Sequence, residues 1–318
     1  MRNTLRALDF FASLHLTIFE QAANFEFFNN QLDDCKSTNV QAAEGGNMFL
    51  IGRTASTSFP ASAAPQATAA HTVACDFSVR VCGCGAEFEL HSRFRTTSRR
   101  IALFGPSGSG KSLTLMALAG LLTPGSGHIE VRGRTFFESK SGVNIPARKR
   151  NVGMLFQDYA LFPHLSVRDN VAFGLKPTFG LMKPAHHTRI DELLELCGLT
   201  KLAGLRPHQI SGGQRQRTAL ARALAPGPDL LLLDEPFTAL DQPLRERMRD
   251  ELSAILERFD IPMIMVSHDL DDVDHFAQTL VAFGQGRVLD VVDYQARRKN
   301  ESPRQILDPL FLAAQTCE

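Results

Sequence analysis

Several groups of residues in this chain have the types and spacing to do chemistry on a phosphate. The run Gly105-Pro106-Ser107-Gly108-Ser109-Gly110-Lys111-Ser112 fits G-x-x-x-x-G-K-[ST]. Glycines let such a loop curl until backbone N–H groups converge on phosphate oxygens. The helix that follows adds the positive end of its dipole. Lys111 has the reach for β- and γ-phosphates, and Ser112 carries a hydroxyl suited to Mg2+. A second group, Asp234-Glu235, ends an all-leucine run at 230–233. An aspartate at the carboxyl end of a strand can hold Mg2+, and its neighbour can orient and deprotonate an attacking water. Acidic turns are common, so this pair takes its meaning from the phosphate loop in the same chain. His268, in Val266-Ser267-His268-Asp269, follows another apolar run. A lone histidine is more often structural, but strand ends are where α/β proteins bind ligands. Gln157, in Phe156-Gln157-Asp158, says little alone. Finally, Ser211-Gly212-Gly213-Gln214 opens an amphipathic helix. It is a second anion-binding device, with exposed N–H groups, a hydroxyl and a dipole. One nucleotide does not need both helix ends from one molecule. A head-to-tail pair of chains would use them together, each covering its partner's γ-phosphate.

These side chains need a frame. Residues 101–104, 230–233 and 263–266 are short apolar runs, as buried parallel strands are. Residues 113–122 are apolar almost all round and predict a buried helix. Pro243 opens another helix, in which Leu244, Met248, Leu252, Ile255, Leu256 and Phe259 recur at helical spacing. Residues 280–283 and 287–291 flank Gly284-Gln285-Gly286 and predict a hairpin. Residues 162–225 are helical in pattern and supply no strand, so a helical subdomain, about 160–225, is expected within an α/β core.

Lys and Arg number 34, as do Asp and Glu, giving zero formal charge. That balance argues against a general nucleic-acid partner, which calls for a basic excess. The apolar stretch at 10–19 is interrupted by His15 and is far too short to span a bilayer. Arg2 and Arg6 precede it, but Asp9 interrupts early, and no secretory signal is read. Six cysteines are too few for a disulfide scaffold. Cys75, Cys82 and Cys84, with His71 and His91 nearby, raise a metal-site reading, but they form no C-x-x-C pair and read as reduced cysteines beside a strand. Residues 54–70, TASTSFPASAAPQATAA, have the composition of a flexible linker. The expected organisation is an extension at 1–72, a core at 73–295 and a tail at 296–318.

In their order and types these motifs resemble those of ATP-binding-cassette (ABC) ATPases over about residues 75–295. The resemblance implies an α/β P-loop NTPase fold: an ABC cassette with a helical subdomain and an N-terminal antiparallel β part. It makes 105–112 the Walker A loop and Gln157 the Q-loop glutamine. It makes Ser211-Gly212-Gly213-Gln214 the signature, Asp234 with Glu235 Walker B, Ala239-Leu240-Asp241 the D-loop, and His268 the switch histidine. ATP and Mg2+ are the implied cofactors. Gly105, Pro106, Ser107, Gly108, Ser109, Gly110, Lys111, Ser112, Gln157, Ser211, Gly212, Gly213, Gln214 and Asp241 are the implied nucleotide contacts. Ser112, Gln157 and Asp234 would surround the metal, and Lys111, Gln157, Glu235 and His268 would serve hydrolysis. The implied partners are a second copy of the chain, an integral membrane permease and, through it, a periplasmic solute-binding protein. The implied location is the cytoplasmic face of the inner membrane, and residues 159–167 are the expected permease contact.

Within the family, Pro146-Ala-Arg-Lys-Arg150 and the stretch on to Asn170 are similar to bacterial importer subunits for molybdate, sulfate, iron, polyamines and sugars. Residues 76–80, 103–111 and 136–150 look most like the molybdate importer ATPase. A soluble ABC ATPase is the rival, but the spacing from Lys111 to Ser211 leaves no room for a coiled-coil insert. The presence of Glu235 and His268 speaks against a non-hydrolysing binder. There are departures from the pattern. No tyrosine lies upstream of the loop to stack on adenine; Phe77 and Phe88 are candidates but are expected to be strand core. Ile210 stands where leucine is usual. The stretch after the hairpin is expected to be too short for the C-terminal β domain that many relatives carry.

Overall fold

The computed structural model describes residues 72–83, 86–176, 181–238 and 240–316. The extension read at 1–72, apart from Thr72, lies outside the described residues, as do His71, Cys84 and Ala239.

Among the described residues, eleven strands form one sheet with two halves of different grain. The parallel half contains β3 (Arg100–Phe104), β7 (Val152–Leu155), β8 (Leu230–Asp234), β9 (Met263–Val266) and β10 (Thr279–Gly284), in the order β10-β3-β9-β8-β7. Leu230 to Leu233 are fully buried on both faces, as a central parallel strand covered by helices must be. The antiparallel half contains β1 (Val73–Gly83), β2 (Ala86–Thr96), β4 (Ser126–Val131), β5 (Arg134–Glu138) and β6 (Val143–Asn144), in the order β6-β5-β4-β1-β2. Val73, Cys75, Phe77 and Val79 point into the core while Asp76 and Arg80 face outward, the alternation of a half-buried sheet. The halves meet through β11 (Arg287–Asp293), which is antiparallel to β10 and parallel to β2 at Arg287 and His91.

Strands β4 to β7 were not expected as separate elements. They are short, and only Ile129, Val131, Phe136, Phe137 and Leu155 among their apolar residues are buried, too few to show a period. Helix α1 (Lys111–Ala119) starts and stops earlier than the expected 113–122. It ends at Gly120, whose left-handed φ of 80° lets its N–H turn back to Ala117 O. Arg150, the C-terminal residue of the short helix α2 (Ala147–Arg150), fully buried, holds that end. It donates Nη1 to Ala117 O at 2.7 Å and Leu118 O at 3.0 Å, and Nε to Ile145 O at 2.7 Å. A cation against the last carbonyls also suits the negative end of the helix dipole.

Between β7 and β8 the chain is helical: α3 (Val167–Ala172), α4 (Pro184–Leu196) and α5 (Gly212–Leu224). Their buried Val171, Leu193 and Leu220 share a core with Met248 and Leu252 of α6 (Gln242–Phe259). On the same face of the sheet, where Ala102 pairs with Met265 of that core, α7 (Leu270–Phe276) packs on Ala102 and Phe104. The stretch read as a tail contributes the second half of α8 (Tyr294–Arg297) and all of α9 (Pro303–Thr316), where Ile306 and Leu307 are fully buried in the same cluster.

Candidate functional site

Parallel pairing brings four strand ends to one edge. Leu103 and Asp234 both pair with Val266, and Leu155 pairs with Leu233. The residues that follow β3, β7 and β9, and those that close β8, therefore emerge side by side: the loop at 105–112, Gln157, Asp234 with Glu235, and His268. Such an edge is where open α/β sheets bind ligands.

Gly110 caps the start of α1 with φ 100°, and a Cβ there would lie 2.6 Å from Leu90 Cδ1. Glycine is therefore required, and it brings no side chain to cap the helix. The first-turn N–H groups of α1 are left for an anion. Lys111 is only 6% exposed, and its Nζ donates to Gly105 O at 2.9 Å, Pro106 O at 2.7 Å and Ser109 Oγ at 3.3 Å. Burial pushes its pKa down to about 8, and the Glu235 and Asp234 carboxylates oppose that shift. A buried ammonium whose hydrogen-bond partners are neutral oxygens gains its charged form back when an anion arrives.

Ser112 Oγ donates to Asp234 Oδ1 at 3.1 Å, and Asp234 is buried. This hard-oxygen pair beside the loop fits Mg2+. The next residue, Glu235, has a left-handed φ of 46° and an N–H bonded to Val266 O at 3.0 Å. Glu235 Oε2 accepts from Thr238 Oγ1 at 3.2 Å, and Oε1 lies 3.3 Å from His268 Nδ1. Thr238 had no signal in the sequence.

Gln157 is exposed, two residues past β7. The turn after it puts Tyr159 at φ 66° and Ala160 at φ 45°. Arg222 of α5 holds that turn, donating to Ala160 O at 2.6 Å and Tyr159 O at 2.9 Å. The segment 159–167, expected to meet a permease, is only partly at the surface. Tyr159 and Val167 are buried in the helical core, while Pro163 and His164 are exposed.

Ser211 caps α5 reciprocally with Gln214: Gln214 N–H donates to Ser211 Oγ at 3.3 Å, and Ser211 N–H to Gln214 Oε1 at 2.9 Å. Gly212 follows Ser211 as the first residue of α5, and Gly213 lies so close to Leu244 that a Cβ would be 2.7 Å from Leu244 Cδ2. The start of α5 thus adjoins the start of α6, where Asp241 caps by accepting from Leu244 N–H at 3.0 Å. Among the described residues no hydrogen bond joins Ser211, Gly212, Gly213, Gln214 or Asp241 to the loop at 105–112.

The two aromatic candidates separate. Phe77 is core, at 3% exposure. Phe88 is partly exposed and lines an open groove of about 420 Å3 with Glu87, Glu89, Pro106, Ser107 and Gln285. Cys75 is buried beside Ser92, its thiol pushed up to about 12 by burial. Among the described residues no His, Cys, Asp and Glu cluster suits a metal.

The ABC transporter family model matches residues 95–238. The Fe(3+) ions import ATP-binding protein FbpC 2 of Pectobacterium atrosepticum is 46% identical over 192 residues, 60% of this chain and 54% of that protein. The molybdenum import ATP-binding protein ModC of Paramagnetospirillum magneticum is 41% identical over 203 residues, 64% of this chain and 55% of that protein. The chain thus spans about half the length of these two relatives. The probable sulfate/thiosulfate import ATP-binding protein CysA of Chlorella vulgaris is 43% identical over 193 residues, 60% of this chain and 78% of that protein. Among solved structures, the ATP-binding cassette MJ0796, dimeric in a post-hydrolysis state with ADP and Pi, superposes with a TM-score of 0.59. It is 26% identical, covering 70% of this chain and 98% of that one. With a relative this similar covered over most of its length, and a solved cassette covered almost whole, the chain belongs to the ABC transporter family, and its sheet and phosphate loop form that family's cassette.

Proposed function

We propose that this chain hydrolyses ATP as the motor subunit of an importer. The observation that carries the reading is one sheet edge that gathers a buried, anion-seeking Lys111, the Ser112–Asp234 oxygen pair and the Glu235–His268 contact. Lys111 and the first-turn N–H groups of α1 bind the β- and γ-phosphates. Ser112 and Asp234 would hold Mg2+, with Gln157, which follows β7 at the same edge, as a further partner. When bound, Mg2+ there would supply neutralisation of charge on the phosphate oxygens. Glu235 takes a proton from the attacking water as the new P–O bond forms and the bond to ADP breaks, so ADP and phosphate leave. His268, touching Glu235, faces the γ-phosphate. Phe88, flanking the loop, offers a ring to the base.

Ser211 and Gly213 act on the γ-phosphate of a partner copy, head to tail, with Asp241 beside them. Their lack of any hydrogen bond to this chain's own loop supports that reading, as does the dimeric state of the MJ0796 cassette. The motor would sit on the cytoplasmic face of the inner membrane against a separate permease fed by a periplasmic solute-binding protein. No helix among the described residues is long and apolar enough to cross a membrane itself. The solute we propose is molybdate. Its support is the likeness of residues 76–80 and 136–150 to molybdate importer subunits, together with the ModC relative; iron and sulfate relatives of similar identity make those solutes the alternatives.

Glu235→Gln tests the motor. It keeps the size of the side chain but cannot take a proton, so hydrolysis should fall roughly 10²-fold or more while ATP still binds and closed dimers accumulate. Hydrolysis at the unmodified rate would overturn the assignment. Loss of the gene without any growth defect at limiting molybdate would remove the solute proposal and leave the motor standing.

A further inference from the structure

The residues on either side of His268 are tied to α6 by two arginines that the reaction itself does not use. Arg249 is 5% exposed and Asp272 is 3% exposed. Arg249 Nε donates to Asp272 Oδ1 at 2.6 Å, with Nη2 at 2.5 Å from the same oxygen. Asp272 Oδ2 accepts from Ser267 Oγ at 2.7 Å, and Ser267 Oγ in turn accepts from Asp269 N–H at 3.1 Å. Arg249 Nη2 also lies 3.4 Å from Asp269 Oδ1. One helical turn earlier, Arg245 Nη1 donates to Asp269 Oδ2 at 2.5 Å, and Arg245 Nη2 donates to Leu240 O at 3.2 Å. Ser267 and Asp269 are thus pinned, while the His268 ring between them stays exposed and reaches Glu235.

We propose that Arg245 and Arg249 are positioning residues that lock the His268 turn to residues 240–241, so that a displacement of that segment moves His268 relative to Glu235. The proposal rests on the reading of Glu235 and His268 given above. The physical argument is one of cost. Burying a guanidinium and a carboxylate gives up hydration that their attraction only partly returns, and an apolar pair usually holds two helices as well. What such a network adds is a fixed geometry, because each of its hydrogen bonds has a direction. Here the directions converge on the two neighbours of one side chain. At the other end one of them, from Arg245, reaches the backbone of Leu240 beside Asp241, the cap of α6, which adjoins the start of α5; Arg249 anchors the same turn to α6 itself.

The test compares the full-length chain with Arg249→Met/Asp272→Leu, a volume-matched apolar pair, and with Arg245→Gln, which breaks the partly exposed link. A merely structural ion pair predicts unchanged turnover in a stable double variant. We expect kcat to fall roughly 10- to 100-fold in each, the scale of a small misplacement of a reacting group, with ADP affinity unchanged. His268→Ala should then cost less in the Arg249→Met/Asp272→Leu background than in the natural chain, since the ring is already out of place. Natural turnover in either variant, or a cost of His268→Ala that is the same in both backgrounds, would overturn the proposal. Should the double variant fail to fold, Arg245→Gln decides alone, by the same two readouts. If His268→Ala leaves turnover intact in the natural chain, the reading of His268 fails and takes the proposal with it. If His268→Ala cripples turnover and the arginine variants do not, only the proposal fails.

Discussion

Ser112 Oγ and Asp234 Oδ1 meet at 3.1 Å, joining the first turn of α1 to the carboxyl end of β8 across the whole helical region between them. Two hard oxygens of different elements, one closing a fully buried strand and one in the first turn of a buried helix, would form the proposed cation position. Asp234→Asn keeps an acceptor for Ser112 and nearly the same volume, but removes the negative charge. The half-saturating Mg2+ concentration for hydrolysis should rise about 10- to 100-fold, the usual range when a metal's oxygen partners are altered. Nucleotide binding in the absence of Mg2+ should hold. An unchanged Mg2+ curve would take Asp234 away from the metal.

The depressed pKa of Lys111 makes a pH prediction with a definite sign. Burial lowers it from 10.5 to about 8 in the folded chain. Below about 8 the lysine is charged in folded and unfolded chains alike, and the full cost of burying that charge is present. Between about 8 and 10.5 the unfolded chain binds more protons, so this cost fades and the nucleotide-free fold gains stability as pH rises. Nucleotide binding runs the other way. Phosphates favour the charged form, so affinity should be flat below pH 8 and decline above it, by up to about tenfold per unit, with proton uptake on binding. Calorimetry at pH 8.5 in buffers of different ionisation heat measures that uptake directly. Lys111→Arg, which stays charged, should abolish it. Binding without proton uptake in the natural chain would show that Lys111 is already charged at that pH.

The residues proposed for the chemistry stand out in the sequence because they sit at places with strong local grammar. Lys111 and Ser112 lie in a glycine-spaced loop, and Asp234 and Glu235 end a strand buried on both faces, which leaves an unbroken run of leucines. The antiparallel half had no such signal. Phe136 and Phe137 are adjacent and both buried, which breaks alternation, and β4 to β6 are punctuated by Gly127, Gly133 and Gly142. Phe88 could not be told from Phe77 by type or spacing. Only the pairing of β2 with β1, and the close approach of β2 to Gly110 and Gly286, leaves Phe88 at the loop. Arg150, Arg222, Arg245 and Arg249 look in sequence like ordinary helix-surface cations. Their work is set by carbonyls and carboxylates far away in the chain, and no local pattern encodes that.

Arg150 offers the clearest stability test. Its guanidinium satisfies Ala117 O, Leu118 O and Ile145 O, and it lies over the Phe136 ring at 5.3 Å. Burial lowers its pKa to about 10, still well above neutrality, so it is charged under ordinary conditions. Arg150→Met fills much of the space but leaves those carbonyls without their donor. Unfolding free energy should drop by about 3 kcal/mol or more, from several lost charge-assisted bonds. The folded fraction should still bind ATP, because the loop lies at the other end of α1. Equilibrium denaturation and nucleotide titration on one sample separate the two effects. A change below about 0.5 kcal/mol, the level of an ordinary surface substitution, would make Arg150 dispensable.

The head-to-tail arrangement makes the last prediction, and it can be tested without any structure of the pair. Lys111→Ala removes the ammonium that meets the phosphates, so it should weaken ATP binding itself. Ser211→Arg replaces the cap of α5 and puts a long cation where a partner's phosphate would sit, so it should bind ATP as a monomer and fail to close. Each variant alone should be inactive. When they are mixed, a mixed pair has one composite site with an intact Lys111 from one chain and an intact Ser211 from the other, while its second site carries both lesions. Half of randomly formed pairs are mixed, so recovery should approach about a quarter of natural activity if the two sites fire independently, and less if they are coupled. A site completed within one chain predicts the opposite: mixing restores nothing, however many mixed pairs form. Ultracentrifugation with differently labelled chains counts those pairs. Mixed pairs in quantity with no recovered hydrolysis, or an active enzyme that stays monomeric through turnover, would rule out Ser211 acting across an interface.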